Sequence, residues 1–262
     1  PSHGLISRSG ILDISRALDT VGVFARSIED LGLIASAIMT YDEDDTDMRP
    51  LAVPKLADIA LSAPPVEPDF VFMQTPIWND LEGTTQEAFA ELMDVLGPRS
   101  ETQELPYPFE DAWRWHKTIM LTDIACRFHG LYEENKSDIS AKLAEMIEEG
   151  RTLPAVDYAA AFEWREQLSI GINAVFEDYD AIITPAAFGE APKGLEDTGS
   201  PACCTLWTYL GLPAITIPLL EGPNGLPIGV QLVGKRGSDA RLLRTAHWLT
   251  EHLSSEIEQD GA

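Results

Sequence analysis

Ser200, Cys203 and Cys204 sit close together in SPACCTLWTYLGLPAITIPLLEGPNGLPIGVQLVG, residues 200–234. A hydroxyl or thiol attacks a carbonyl only when a base takes its proton and a third group orients that base. Five histidines are available, yet no signature places one beside either thiol, and no G-x-S-x-G elbow occurs in the chain. The alternative to a Cys hydrolase is that small residues are buried at a helix start. Cys126, His129 and Glu133 fall at i, i+3 and i+7, where they could share a helix face and offer three zinc ligands. The other reading is a buried Cys acting as a small hydrophobe, with His129 and Glu133 at the rim. The run DEDDTD, Asp42–Asp47, invites calcium. An EF-hand loop starting at Asp42 needs Gly sixth and Glu twelfth, where this chain has Asp47 and Val53, so a solvated acidic loop is expected. His247 and His252 are five apart rather than four, and no Gly-rich phosphate loop is present. No metal and no organic cofactor is expected.

The elements that must position these groups alternate in type. Residues 1–25 are Gly-punctuated and extended, ending in the strand-like DTVGVFAR. A capping-box pattern at Ser27 and Asp30 opens a helix through about Met39, with Ile28, Leu31, Ala35 and Ile38 as its stripe. From Tyr41 to Phe70 an acidic, Pro-rich surface loop is expected. FVFMQTPIW reads as a short buried strand. Thr84 and Glu87 cap the next helix, whose inner face is Phe89, Leu92, Met93 and Leu96 and whose stop is Gly97-Pro98. A strand near Glu101–Leu105 precedes a helix from about Asp111 to Glu134. Helices of roughly Ile139–Glu149, closed by Gly150, and Val156–Phe176 follow. DAIITP, PAITIP and PIGVQLVG are apolar runs between Pro and Gly, as in strands buried on both faces. Ser238 opens a last helix with Leu242, Ala246, Leu249 and Leu253 inward, and Ser254–Ala262 reads as a polar tail. This order predicts a single α/β layered domain without repeats.

Composition narrows the function classes. With 262 residues, 45% of them apolar, the chain can bury a core. Asp and Glu number 43 against 18 Lys and Arg, a formal charge of −25. Such a surface repels phosphate backbones and anionic lipid, so no nucleic-acid or membrane partner is expected. No apolar run reaches 18 residues. Three cysteines make no disulfide framework, which points to a reducing, cytoplasmic compartment. Pro1-Ser2-His3-Gly4 opens without Met, as if part of something longer.

GLISRSGILDISRALDTVGVFARSIEDLGLI resembles the middle of amidase-signature enzymes. DAIITPAAFGEAPKGLEDTGSPACCTLWTYLGLPAITIPL, followed by PNGLPIGVQLVGKRGSDARLLRTAHWL, resembles their C-terminal part in the same order and spacing. The likeness covers nearly all of residues 1–252 and is weakest from Tyr41 to Pro108. It implies a mixed β-sheet core covered by helices, incomplete in this chain, with residues 1–253 as the C-terminal portion of one domain and 254–262 as the tail. It also implies carboxamide hydrolysis by a Ser–Ser–Lys triad, in which one Ser attacks, the second relays the proton and the Lys is the base. The triad Lys and the Gly/Ser-rich loop precede the segment matching Pro1, so no catalytic residue is expected here. Instead Thr198, Gly199, Ser200 and Cys203 are expected to line the acyl side of the pocket. Trp207 packs against them or is a plain core tryptophan. Where the glutamine-handling branch carries an acidic residue, this chain has Gly199, Ser200 and Pro201, a pattern nearer to stand-alone bacterial amidases. The partners implied are a small amide substrate and the N-terminal half of the same domain, with room for a homodimer of the parent. The rival is a non-catalytic binding or regulatory module built on the same fold.

Overall fold

The computed structural model describes residues 1–260, with side chains through Ser255. Three parallel strands lie side by side: β1 (Phe70–Gln74) pairs with β2 (Ser100–Glu104) on one side and with β3 (Ala181–Pro185) on the other. β4 (Ala214–Glu221) and β5 (Pro227–Val233) form a hairpin whose β5 arm pairs antiparallel to β3. The sheet order is β2-β1-β3-β5-β4, a mixed sheet as expected. All five residues of β3 are buried, in keeping with a continuous apolar run covered on both faces.

Helices cover both faces. On one, α3 (Gly83–Leu96) and α9 (Asp239–Asp260) bring Phe89, Leu92, Leu242, Ala246 and Leu249 against Phe72, Ile183, Val230 and Leu232. On the other, α4 (Ala112–Arg127), α7 (Ala155–Asp178) and α8 (Ala202–Leu210) bring Trp115, Ile119, Leu168, Ile172, Leu206 and Trp207 against Val71, Met73, Ile182 and Val233. α1 (Ile28–Ile38) and α2 (Leu56–Ala60) form an outer layer against α9. Ser27 Oγ accepts the Asp30 N–H at 3.1 Å, which is the predicted cap of α1.

Several local expectations change. DTVGVFAR forms no strand; Val21 and Val23 rest on the outer layer as irregular chain. The 41–70 segment contains α2, whose Leu56 and Ala60 are buried. α3 starts at Gly83 and carries no side-chain cap, so Thr84 lies inside it. The expected 111–134 helix breaks at Phe128 into α4 and α5 (His129–Glu134). Gly150 lies within α6 (Ala141–Thr152) rather than closing it. A β-carbon there would fall 2.1 Å from Leu121 O on α4, so glycine is what lets the two helices cross closely. β4 alternates instead of being covered on both faces: Ile215 and Ile217 are buried while Ala214, Thr216 and Pro218 are exposed, and its outer edge has no strand partner among the described residues. α9 runs on through Ser254 and Ser255 to Asp260. No described helix is long and apolar enough to cross a membrane.

Candidate active-site wall

Of the predicted pocket residues, Thr198, Gly199 and Ser200 belong to the connection between β3 and α8, and Cys203 and Trp207 to α8 itself. The first part of the connection is pinned. The Ala186 N–H donates to Gly229 O on β5 at 3.0 Å, and Phe188 O accepts from the Glu82 N–H and from Thr85 Oγ1, each at 3.0 Å. Every residue from Ala191 to Ser200 is exposed. Thr198, Gly199 and Ser200 therefore form an open ridge, shaped by Gly199 at φ +83°, whose N–H donates to Asp197 Oδ1 at 3.0 Å. Ser200 Oγ accepts the Ala202 N–H at 3.3 Å, so its hydroxyl sits at the first turn of α8. From the other side, Trp113 Nε1 on α4 donates to Ala202 O at 3.0 Å. The N-terminal end of α8 is thus held between the loop and α4.

Cys203 is buried on the inner face of α8, where burial and the neighbouring Cys204 push its thiol up to about 12. Cys204 is open at its outer edge. Its Sγ lies 3.7 Å from Ala186 O, just past β3, and 3.8 Å from Gln231 Nε2 within β5, and desolvation raises this thiol too. A thiol attacks as thiolate, so both are poor nucleophiles at neutral pH. Among the described residues no histidine hydrogen-bonds either of them: His3 meets Arg8 and the Arg16 carbonyl, and His129 meets Arg151. The geometry gives the Cys-hydrolase reading no base. Trp207, one turn beyond Cys203, is 1% exposed within the core, and its Nε1 has no partner. It backs Cys203 from within rather than facing the loop.

Three polar residues not singled out by the sequence form a row across the sheet. Thr184 on β3 and Thr216 on β4 both pair with Gln231 on β5, making a polar row across three strands. Thr184 and Gln231 are 2% exposed. A buried polar side chain needs partners, so a Gln inside the apolar GVQLVG was the available signal. Glu190 was missed as well; it stands before the exposed part of the loop and accepts hydrogen bonds from Asn224 and Leu226.

The other clusters resolve into ion pairs. Cys126 is exposed rather than buried, and the break at Phe128 takes it off the helix carrying His129 and Glu133. Arg151 Nη2 joins His129 Nδ1 at 3.0 Å and Glu133 Oε1 at 2.6 Å. No described group of three His, Cys, Asp or Glu residues is arranged to hold a metal. The acidic run is only partly solvated. Asp45 is buried and accepts from Arg8 Nε at 2.9 Å and Nη2 at 2.7 Å, and Asp47 joins Arg8 Nη2 at 2.6 Å to Arg16 Nε at 2.8 Å.

The site thus sits on a mixed sheet sandwiched between helices, with an exposed Gly-containing loop leading into a short buried helix. Residues 1–243 match the family model described as Amidase, and the chain belongs to that family. It is 26% identical over 283 residues to a component of the glutamyl-tRNA(Gln) amidotransferase of Brevibacillus brevis, covering 94% of this chain and 57% of that protein. A solved structure described as a vestigial protein complex revealing the origins of an s-triazine catabolic enzyme superposes with a TM-score of 0.84 at 22% identity, over 96% of this chain and 57% of the other. The native peptide amidase of Stenotrophomonas maltophilia gives 0.75 at 21% identity, over 96% and 57%. The chain spans little more than half the length of the relatives it matches.

Proposed function

We propose that this chain is the C-terminal part of an enzyme that hydrolyses a small linear or aryl carboxamide to the acid and ammonia or amine, in a reducing compartment and without metal or cofactor. The observation that carries the proposal is the conjunction of the family match over residues 1–243 with the exposed Thr198–Ser200 ridge leading into α8. Thr198, Gly199, Ser200 and Cys203 form the acyl-side wall, with Trp207 packed behind them. The attacking and relaying serines and the lysine base come from the N-terminal half of the domain. In keeping with this, all six lysines of the chain are exposed, whereas a lysine acting as base must be desolvated to lose its proton near neutral pH. The serine hydroxyl adds to the amide carbonyl as its proton passes through the second serine to the lysine. The tetrahedral oxyanion collapses with loss of the protonated amine, and water then cleaves the acyl-enzyme.

The amidotransferase relatives favour a second reading, in which the parent releases ammonia from glutamine for a partner protein. Gly199, Ser200 and Pro201 support the first, because they offer no carboxylate to read an α-amino group. Ammonia release by the full-length protein from benzamide, propionamide and glutamine separates the two. Turnover of the simple amides with glutamine inert is expected; the reverse selectivity assigns the chain to the transamidation branch. Release from none of the three, by folded full-length protein, supports the non-catalytic module.

A further inference from the structure

We propose that Glu190 is a positioning residue, a latch that ties the β3–α8 connection to the turn of the β4–β5 hairpin and so fixes the Thr198–Cys203 wall. The inference rests on the wall assignment made above. Glu190 Oε1 accepts the backbone N–H groups of Asn224 at 2.9 Å and Leu226 at 3.0 Å, while Oε2 accepts from Asn224 Nδ2 at 2.7 Å. Three donors around one carboxylate hold it below the usual carboxylate range, the Asn224 side chain contributing most. The turn is shaped to receive it: a β-carbon on Gly222 would fall 2.3 Å from Glu190 Cγ. The grip passes along the loop through Pro192, whose Cγ lies 3.5 Å from the position a β-carbon on Gly199 would take. Holding Glu190 therefore restrains Pro192, two residues on, where the loop folds back beside Gly199. Nothing else among the hydrogen bonds of this connection reaches another element between Glu190 and Trp113's contact at Ala202.

The test is reciprocal and is made in the full-length protein. Glu190→Gln puts an NH2 group where Asn224 Nδ2 donates, and even with the Asn224 amide turned over to accept it, the three bonds lose their charged acceptor. Adding Asn224→Asp to that background returns an acceptor for the new N–H, while Asn224→Asp alone sets two carboxylates together. Gly222→Ala displaces the carboxylate from the other side without altering it. Amide hydrogen exchange at Asn224 and Leu226, and at Gly199 and Ala202, whose N–H groups are hydrogen-bonded within the ridge, should speed about tenfold or more in Glu190→Gln and in Gly222→Ala, from loss of a charge-assisted bond. It should return toward the unsubstituted rate in the Glu190→Gln, Asn224→Asp double variant. KM for the amide should follow the same pattern with kcat held. Unchanged exchange in Glu190→Gln overturns the latch. Faster exchange at the turn alone, with Gly199, Ala202 and KM unmoved, overturns its role in positioning. The exchange arms decide the proposal even if the full-length protein turns over no amide, an outcome that would count against the proposed function alone.

Discussion

Arg8 gathers Asp45, Asp47 and the carbonyl of Arg16 around one guanidinium, with 9% of its side chain exposed. Buried charges are tolerated only when paired and hydrogen-bonded, and removing one partner leaves the other uncompensated. Hydrogen bonds from the Arg8 guanidinium, foremost among the causes, hold the Asp45 carboxyl well below the usual carboxylate range. A carboxylate depressed in the folded state contributes stability that is full above its unfolded value, near about 3.9, and lost as pH falls through that value toward the folded one. Asp45→Asn should therefore cost about 3 kcal/mol at neutral pH. It should also flatten the decline in urea midpoint between roughly pH 5 and pH 2 relative to the unsubstituted protein. Parallel declines in the two proteins would mean that Asp45 contributes nothing to acid sensitivity. The sequence shows DEDDTD only as charge; that Asp45 within it is buried follows from Arg8, 37 residues away, a separation no local pattern reveals.

Among the elements, α6 crosses α4 at a distance set by one missing side chain. Gly150→Ala improves intrinsic helix propensity by about 1 kcal/mol yet forces a β-carbon into Leu121 O, and overpacking of this kind costs up to about 3 kcal/mol or more. A net loss of about 2 kcal/mol in unfolding free energy, read from the denaturant midpoint, is expected. Gly130→Ala in α5 meets nothing within 4 Å and should gain a few tenths to about 1 kcal/mol. Equal effects at the two glycines would refute the close-crossing account. The same contrast shows what was legible beforehand. Strands β1, β3 and β5 follow from short apolar runs and the inner faces of α3 and α9 from helical periodicity, and all emerged where expected. Gly150 reads as a stop signal because glycine ends helices more often than it joins them, and only the neighbouring helix reveals the difference. α2 escaped notice because five residues among prolines carry too little periodicity. The likeness to the family pointed to Thr198–Cys203, whereas the contacts of Glu190 and Gln231 are made only by the fold.

For the whole molecule, charge and coverage govern behaviour. A formal −25 is self-repulsive, and added salt screens it over a Debye length near 10 Å at about 0.1 M. The full-length protein should melt higher in ~0.5 M NaCl than in dilute buffer; a flat or falling melting temperature would mean that the charges are already paired. The segment by itself leaves the outer edge of β4 unpaired and Ala214, Thr216 and Pro218 exposed, beside an apolar groove of about 190 Å³ lined by Ile6, Val23, Leu31 and Leu243. Expressed alone, it should bind ANS, lack a sharp thermal transition and hydrolyse no amide, with rescue by co-expression of the N-terminal half. A monodisperse, cooperatively melting chain without ANS signal would favour the self-sufficient binding module.

Pro218 gives that open edge a further property. The register of β4 against β5 shifts between Ile217 and Leu220, and Pro218, standing in the shift, has no N–H to offer a neighbour. Regular pairing is therefore confined to a few residues at the start of the strand, too few to template a growing cross-β stack. AITIPLL is otherwise uncharged and β-prone, the composition from which fibrils assemble, and proline interrupts it after Ile217. Proline here acts as a gatekeeper against polymerisation while leaving the first residues of the edge free to accept a strand. Pro218→Val should make the separately expressed segment form thioflavin-positive fibrils that seed their own growth. Indistinguishable aggregates from the two chains would show that something other than Pro218 keeps the edge from propagating.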